Sequence, residues 1–143
     1  VGGGLPIGSI CATAVVAKAF TAGSHGTTFG GHPVSAAAAL AEIDELLSRD
    51  LAGNAQKMGD YFSSKLETLP HVKEVRHQGC LIGVEFDGFA TATDIKHKCL
   101  DKHLLVTAIG ANVVRMVPPL ILTQDDCDKA YAILKEAVEE LSK

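Results

Sequence analysis

The 143-residue sequence has no tryptophan, and only 5% of its residues are aromatic. Proteins that bind nucleic acids typically have a stripe of basic residues with aromatics between them. This sequence has no such stripe, and its net charge is −4. Nor is any apolar run long and uniform enough to cross a bilayer. We therefore predict neither a nucleic-acid nor a membrane partner, and we expect a cytoplasmic location.

Closely spaced cysteine pairs are absent as well. Cys11, Cys80, Cys99 and Cys127 are widely separated and form no C-x-x-C motif. This spacing is typical of free thiols in a reducing compartment rather than of a disulfide framework or a zinc site. No two of the six histidines stand three or four residues apart, which is the spacing of a histidine pair that binds a metal on one helix, so we predict no metal site.

Apolar residues are plentiful: they make up 47% of the chain, against 21% charged residues. A chain of this length can form one modest core, which predicts one domain, or one domain and a remnant of another. The high apolar fraction suits a piece that buries part of its surface against other polypeptide.

The hydrophobic pattern predicts an α+β fold with a small, mostly antiparallel sheet and helices over one face. Apolar residues at positions 95, 99 and 100 are expected to face the core from one of these helices. Two other helices each have one apolar face, formed by residues 55, 58, 62, 66 and 69 and by residues 130, 133, 134, 137, 138 and 141. Thr123 and Asp126 have the spacing of a capping box at the start of the last helix. The predicted helices span 14–20, 34–48, 51–69, 93–103 and a segment after Thr123; the predicted strands span 72–76, 81–86, 104–108 and 113–117.

A glycine-rich segment at 23–33 contains two adjacent hydroxyl side chains, Thr27 and Thr28. Glycines let a backbone pass close to a ligand, hydroxyls suit phosphate oxygens, and Pro33 is a good first residue of a helix. The residues alone leave two interpretations open: an anion-binding loop that leads into a helix, or a glycine-rich connector.

Three segments, in this order, resemble the class III aminotransferases. They are GGGLPIG at 2–8, HGTTFGGHP at 25–33 and VVRMVPPL at 113–120. These enzymes use pyridoxal 5'-phosphate (PLP) and have the fold type I architecture of the aspartate aminotransferase superfamily. The resemblance covers essentially the whole chain and is strongest to the acetylornithine and ornithine aminotransferases.

The resemblance implies a domain organisation. Residues 1–32 would be a remnant of the large PLP-binding domain, and residues 33–143 would be the C-terminal small domain with its connecting helix. In the family, the lysine that forms the Schiff base with PLP lies just upstream of the GGG-x-PIG segment, which here means upstream of Val1. We therefore expect this chain to be the C-terminal part of a longer enzyme, to contain no catalytic residue and to be inactive alone. Because the resemblance places the reactive lysine elsewhere, we interpret Lys18 as a surface cation.

The resemblance also implies roles for three residues. Thr28 matches the threonine whose hydroxyl binds the phosphate of PLP across the dimer interface, and Thr27 occupies the neighbouring position near the substrate. Arg115 matches the arginine that binds the carboxylate of glutamate or 2-oxoglutarate, a task suited to a guanidinium fork. His32 stands where the most similar branches usually have asparagine, which leaves the substrate open.

The expected function is transfer of an amino group between N-acetylornithine and 2-oxoglutarate in arginine biosynthesis, by a homodimer that binds amino-acid and 2-oxo-acid substrates. The alternatives are transamination of ornithine, succinylornithine or 4-aminobutyrate by another class III enzyme. A stand-alone small binding module is the alternative from a different class.

Overall fold

A computed structural model describes residues 2–143 and divides into two compact units. The first unit comprises the described residues up to Arg49, and the second comprises Asp50–Lys143. Each is described by itself. The division lies between Arg49 and Asp50, so the contacts of the predicted connecting helix group it with the first unit.

Two of the sequence-based predictions refer to Val1, which lies outside the described residues. One places the Schiff-base lysine upstream of Val1, and the other starts the remnant of the large domain at Val1. The described residues begin at Gly2, so the structure tests neither, and both stay predictions.

The first unit contains two helices, α1 (Ala14–Ala17) and α2 (Pro33–Ser48). α1 is shorter than predicted, because it has no side-chain cap and buries none of its residues, so nothing offsets the cost of extending it. α2 starts at Pro33 as its pattern predicts, and it buries only Ser35 and Ala39. Its large apolar side chains are exposed: Val34, Leu40, Ile43 and Leu47.

The second unit contains an antiparallel four-stranded sheet and three helices, which confirms the predicted α+β class. The strand order is β1-β2-β4-β3, and all three neighbouring pairs are antiparallel. α3 packs on β1 and β2, α4 packs on β3 and β4, and α5 contacts α3 and α4. The elements are β1 (Val72–Gln78), β2 (Leu81–Phe86), β3 (Thr107–Ile109), β4 (Val113–Met116), α3 (Leu51–Leu66), α4 (Ala92–Asp101) and α5 (Gln124–Leu141).

One core lies between the sheet and the helices. Its largest fully buried side chains include Phe62 of α3, Phe86 of β2 and Leu134 of α5. Each such side chain contributes about 1.5–3 kcal/mol on leaving water. The predicted apolar faces of α3 and α5 are confirmed, since both lie in this core.

Two details of α4 and β3 differ from the prediction. Leu100 is 47% exposed, whereas Ile95 and Cys99 are buried, because Leu100 follows Cys99 by one residue and points about 100° around the helix. β3 starts at Thr107 instead of position 104. The amide of Leu104 donates to the carbonyl of Cys99 and His103 has a φ of +65°, so this segment closes α4 instead of pairing in the sheet.

The four cysteines are free thiols, as predicted. Cys11 is exposed, and the other three are buried in the second unit. Burial raises the pKa of Cys99 and of Cys127 to about 11 in each case, so these thiols are protonated at neutral pH. Their environment is that of core side chains.

Each of the three helices of the second unit has a side-chain cap. The carboxylate of Asp50 accepts from the amide of Gly53 at the start of α3. α4 and α5 have complete capping boxes, formed by Thr91 with Asp94 and by Thr123 with Asp126. The box predicted at Thr123 is therefore confirmed, and each cap satisfies one amide in the first turn of its helix.

α3 approaches the turn between β1 and β2 very closely at Gly59. A Cβ at Gly59 would lie 2.1 Å from the carbonyl oxygen of Gly79, which is a backbone atom that cannot rotate away. Gly79 itself has a φ of +53°, which favours glycine. Two glycines therefore set the distance between α3 and the sheet.

We expect Gly59→Ala to destabilise the second unit by about 1–3 kcal/mol, because its methyl group forces the helix away from the turn. The higher helix propensity of alanine would by itself stabilise the second unit by about 1 kcal/mol. A lower free energy of unfolding therefore indicates the steric clash, and a higher one indicates helix propensity. The measurement is the free energy of unfolding in urea. Gly8→Ala is the control, because a Cβ there meets no atom within 4 Å. A Gly59→Ala protein as stable as the parent would contradict the packing constraint.

The capping boxes also predict a pH dependence of stability. Hydrogen bonds from Thr91 and Thr123 hold the pKa values of Asp94 and Asp126 below their ordinary range. The unfolded chain therefore binds more protons in acid, so this stabilisation is present above pH about 4 and is lost as pH falls through the lowered folded pKa values. The variant D94N/D126N should be less stable than the parent at pH 6, and the difference should shrink by pH 3 in urea unfolding. Asp101→Asn is the control, and a difference that does not vary with pH would refute the linkage.

Candidate functional site

The threonine loop is the turn at 27–31 that leads into α2. The amide of Gly30 donates to the carbonyl of Thr27 at 3.5 Å, and the amide of His32 donates to that of Phe29 at 3.3 Å. A Cβ at Gly30 would lie 2.2 Å from Cγ2 of Thr27, and Gly31 has a φ of +70°. Gly31 is therefore favoured by its backbone conformation, whereas a Cβ at Gly30 would require only the side chain of Thr27 to move, and the turn presents Thr27 and Thr28 at the surface.

Neither threonine hydroxyl of this loop has a hydrogen-bond partner among the described residues. The hydroxyls are exposed and lie close to the start of α2. A turn that uses its backbone internally and leaves two hydroxyls unpaired can donate to the acceptor oxygens of a ligand. The loop thus has the chemistry of an anion-binding loop, the first of the two interpretations that its sequence left open.

Arg115 lies on β4, on the face of the sheet opposite the core. Its partners in register are Gly83 of β2 and Thr107 of β3, and its neighbours Val114 and Met116 point into the core. The side chain of Arg115 is exposed and has neither an ion pair nor a hydrogen bond to any residue in 2–143. This guanidinium is therefore available to a carboxylate from outside the unit.

A cleft of about 410 Å³ lies on this face beside Arg115. Apolar side chains form much of its lining, among them Leu81, Ile109 and Val113. Arg76 of β1 also lines this cleft. Arg76 pairs in register with Gly83 of β2, and Gly83 pairs on its other side with Arg115, so Gly83 lies between the two arginines. The cleft therefore combines an apolar lining with two guanidinium groups.

The two arginines of this cleft differ in their electrostatic state. Arg76 pairs with Glu74 and, at 2.9 Å, with Glu85, and Lys73 reaches Glu85 at 2.7 Å. These contacts raise the pKa of Arg76, through Glu85 first, and the lysine and arginine lower the pKa of Glu85. Arg76 is thus already neutralised, whereas Arg115 is not.

Arg76 as a neighbour of Arg115, and Glu85 as the partner of Arg76, were not predicted from the sequence. The strand alternation of charged residues on β1 and β2 was a signal that could have found them, because residues two apart share one face. This alternation does not predict the register between the strands, which places Arg76, Gly83 and Arg115 in one row. The predicted site residues divide between the units: Thr27 and Thr28 lie in the first, and Arg115 lies in the second.

The threonine loop fits one part of PLP, its phosphate. Two unpaired hydroxyls beside a glycine-rich turn provide a small cradle for phosphate oxygens. The loop supplies no amine. The only lysine before Asp50 in this sequence is Lys18, which is exposed just after α1, as expected for a surface cation.

Residues 2–143 contain no group of three or more His, Cys, Asp or Glu side chains arranged to hold a metal ion. None of the helices described is both long and apolar enough to cross a membrane.

Comparison with known proteins identifies one family. The family described as aminotransferase class-III matches residues 1–138. The mitochondrial acetylornithine aminotransferase of Alnus glutinosa is 42% identical over 146 residues, which cover 99% of this chain and 32% of that protein. Ornithine aminotransferase 2 of Staphylococcus aureus is 39% identical over 140 residues, covering 96% of this chain and 35% of that protein.

Solved structures that are similar to this chain are aminotransferases, as are the relatives found by sequence. The ornithine δ-aminotransferase of Plasmodium falciparum superposes with a TM-score of 0.80 at 29% identity, covering 92% of this chain and 35% of that one. The acetylornithine aminotransferase of Elizabethkingia anophelis gives a TM-score of 0.75 at 27% identity, with 86% and 34% covered. The chain thus spans about a third of the length of the proteins that it matches.

Proposed function

The chain belongs to the class III aminotransferases, a PLP-dependent family, and from that premise we propose that it is the C-terminal part of an acetylornithine aminotransferase. The enzyme would transfer an amino group between N-acetylornithine and 2-oxoglutarate in arginine biosynthesis. The observation that carries this proposal is the unpaired Arg115, which lies beside an apolar cleft within the matched segment.

Arg115 binds a substrate carboxylate in this proposal. A guanidinium donates two parallel N–H bonds to a carboxylate, which fixes both the position and the orientation of the substrate. The apolar lining supplied by Leu81, Ile109 and Val113 suits the methylene groups of a 2-oxo acid and excludes water from part of the cleft. The pairing of Arg76 with Glu85 leaves Arg115 as the free cation on this face of the second unit.

Thr28 binds the cofactor in the same proposal. Its hydroxyl donates to the phosphate of PLP, which by the family resemblance belongs to the neighbouring subunit of a homodimer, and Thr27 donates near the substrate. PLP, when bound, supplies the electron sink for amino transfer. The loop's contribution is to hold the phosphate and so to fix the cofactor's position.

The domain assignment is also a proposal. We assign residues 1–32 to the large PLP-binding domain and residues 33–143 to the small domain, with α2 as the connecting helix. The cytoplasmic location rests on the family resemblance in the same way. The chain alone is proposed to be inactive, because the resemblance places the lysine that binds PLP upstream of Val1.

One alternative has specific support. Ornithine aminotransferase 2 of S. aureus is nearly as similar to this chain as the acetylornithine enzyme of A. glutinosa, so ornithine is the second candidate amino donor. Succinylornithine and 4-aminobutyrate enzymes share the same three motifs and stay as further alternatives. A stand-alone binding module has no need of a match that extends over 1–138.

In the full-length enzyme, we expect Arg115→Gln to lower kcat/KM for 2-oxoglutarate by about 100-fold, because one or more charge-assisted hydrogen bonds are lost. Arg115→Lys keeps the charge but not the planar fork, so a loss of about tenfold is expected. Steady-state kinetics measures both values. Arg49→Gln is the matched control, since Arg49 is exposed on the surface and pairs with Glu45. Unchanged kcat/KM in Arg115→Gln would exclude the proposed role.

We expect the full-length enzyme to use N-acetylornithine with a kcat/KM at least about tenfold above that for ornithine. The acetyl group removes a positive charge from the substrate, and a site that desolvates the neutral amide disfavours the charged amine. Parallel assays with both donors give the ratio, and the isolated 143-residue chain serves as the blank. A ratio below one would replace the acetylornithine assignment with the ornithine assignment, and turnover by the isolated chain would refute its proposed inactivity.

A further inference from the structure

The first turn of α2 has unsatisfied donors. The amide of Ala36 donates to the carbonyl of His32, and Pro33 has no N–H, but the amides of Val34 and Ser35 have no acceptor in residues 2–143. His32, the residue before the helix, makes no side-chain cap, and the first turn contains no acidic residue. The positive end of the helix dipole is therefore not compensated within the described chain.

Ser35 provides an independent observation at the same place. The residue is only 5% exposed, and its hydroxyl has no hydrogen-bond partner among the described residues. The hydroxyl keeps some contact with solvent, because the fully buried hydroxyl that has no partner among the described residues is that of Ser63. Other hydroxyls in this chain bond to backbone carbonyls three or four residues earlier, as Ser64 and Ser142 do, but that of Ser35 does not.

Ser35 lines a cleft of about 390 Å³ within the first unit. Thr27 and His32 supply the other polar side chains of its lining, and Pro6, Ile7 and Phe29 supply apolar surface. No aspartate or glutamate of the described chain lines this cleft, which we call the Ser35 cleft. Thr28 is not among its lining residues either.

We propose that the Ser35 cleft binds the carboxylate of a small organic acid, with the Ser35 hydroxyl and the amides of Val34 and Ser35 as donors. The polar groups available here can all donate hydrogen bonds, and together with the helix N-terminus they select an anion. The apolar surface beside them favours an organic acid over an inorganic anion, because it gains from contact with methylene groups. His32, which departs from the asparagine of related branches, supplies a ring nitrogen at the rim.

This assignment is separate from the proposed cofactor contact. It uses the first turn of α2 and Ser35, whereas the phosphate of PLP is assigned to Thr28 in the preceding loop. The proposed carboxylate site lies beside Thr27, to which a role near the substrate was assigned above. Binding at this site requires neither PLP nor Arg115. The two proposals can therefore fail independently.

The test is an NMR titration of the ¹⁵N-labelled 143-residue chain with butyrate, with butyramide as the uncharged counterpart and inorganic phosphate as the second anion. We expect saturable shifts of the Val34 and Ser35 amide signals with butyrate, none with butyramide, and weaker binding of phosphate. Ser35→Ala should weaken butyrate binding by at least about threefold. Ser24→Ala is the matched control, because its hydroxyl bonds to the carbonyl of Thr21 in the same unit.

Two further variants distinguish binding at the Ser35 cleft from binding at the threonine loop. His32→Asn introduces the residue common in related branches and should retain the shifts at Val34 and Ser35, because it leaves the amides and the Ser35 hydroxyl in place. Thr28→Val should leave butyrate binding unchanged. Loss of binding in Thr28→Val but not in Ser35→Ala would overturn the proposal in favour of an anion on the threonine loop. Equal binding of butyrate and butyramide, stronger binding of phosphate, or no saturable shift would also overturn it.

Discussion

The close approach of α3 to the turn between β1 and β2 is the constraint on which the second unit depends. Gly59 and Gly79 have no side chains, so the helix can lie against the sheet and bury its apolar face there. α4 and α5 complete the same layer, and the core therefore has one side only. The opposite face of the sheet is left to Arg76, Gly83 and Arg115, which is why a cleft with unpaired charge can exist in so small a unit.

Most polar groups that secure the fold are satisfied, with the buried hydroxyl of Ser63 as an exception, whereas those proposed to act on ligands have no partner in residues 2–143. α3, α4 and α5 have side-chain caps, and Arg76 shares its charge with two glutamates. By contrast, Arg115, the two threonine hydroxyls and the first turn of α2 have donors without acceptors in the described chain. Arg115 and the two threonines are exposed, so water satisfies their donors until a ligand takes its place. A ligand or another part of the enzyme would satisfy them.

Sequence patterns predicted the elements with strong periodicity and missed those set by single residues. The faces of α3 and α5 and the capping box of Thr123 followed from spacing alone. The start of β3 did not, because it depends on the left-handed conformation of His103 and on the bond from Leu104 to Cys99. The neighbours of Arg115 depend on strand register, which no local pattern encodes. The three motifs identified the family, whereas the Ser35 cleft could be found only from the structure, in which Ser35 is 5% exposed.

The most direct measurement of the central claim is a crystal structure of the full-length enzyme with PLP and 2-oxoglutarate bound. The account predicts the guanidinium of Arg115 within hydrogen-bond distance, about 3 Å, of a 2-oxoglutarate carboxylate, and the hydroxyl of Thr28 at a similar distance from a phosphate oxygen of PLP. A complex in which both side chains lie in solvent, with the carboxylate and the phosphate held by other residues, would contradict it.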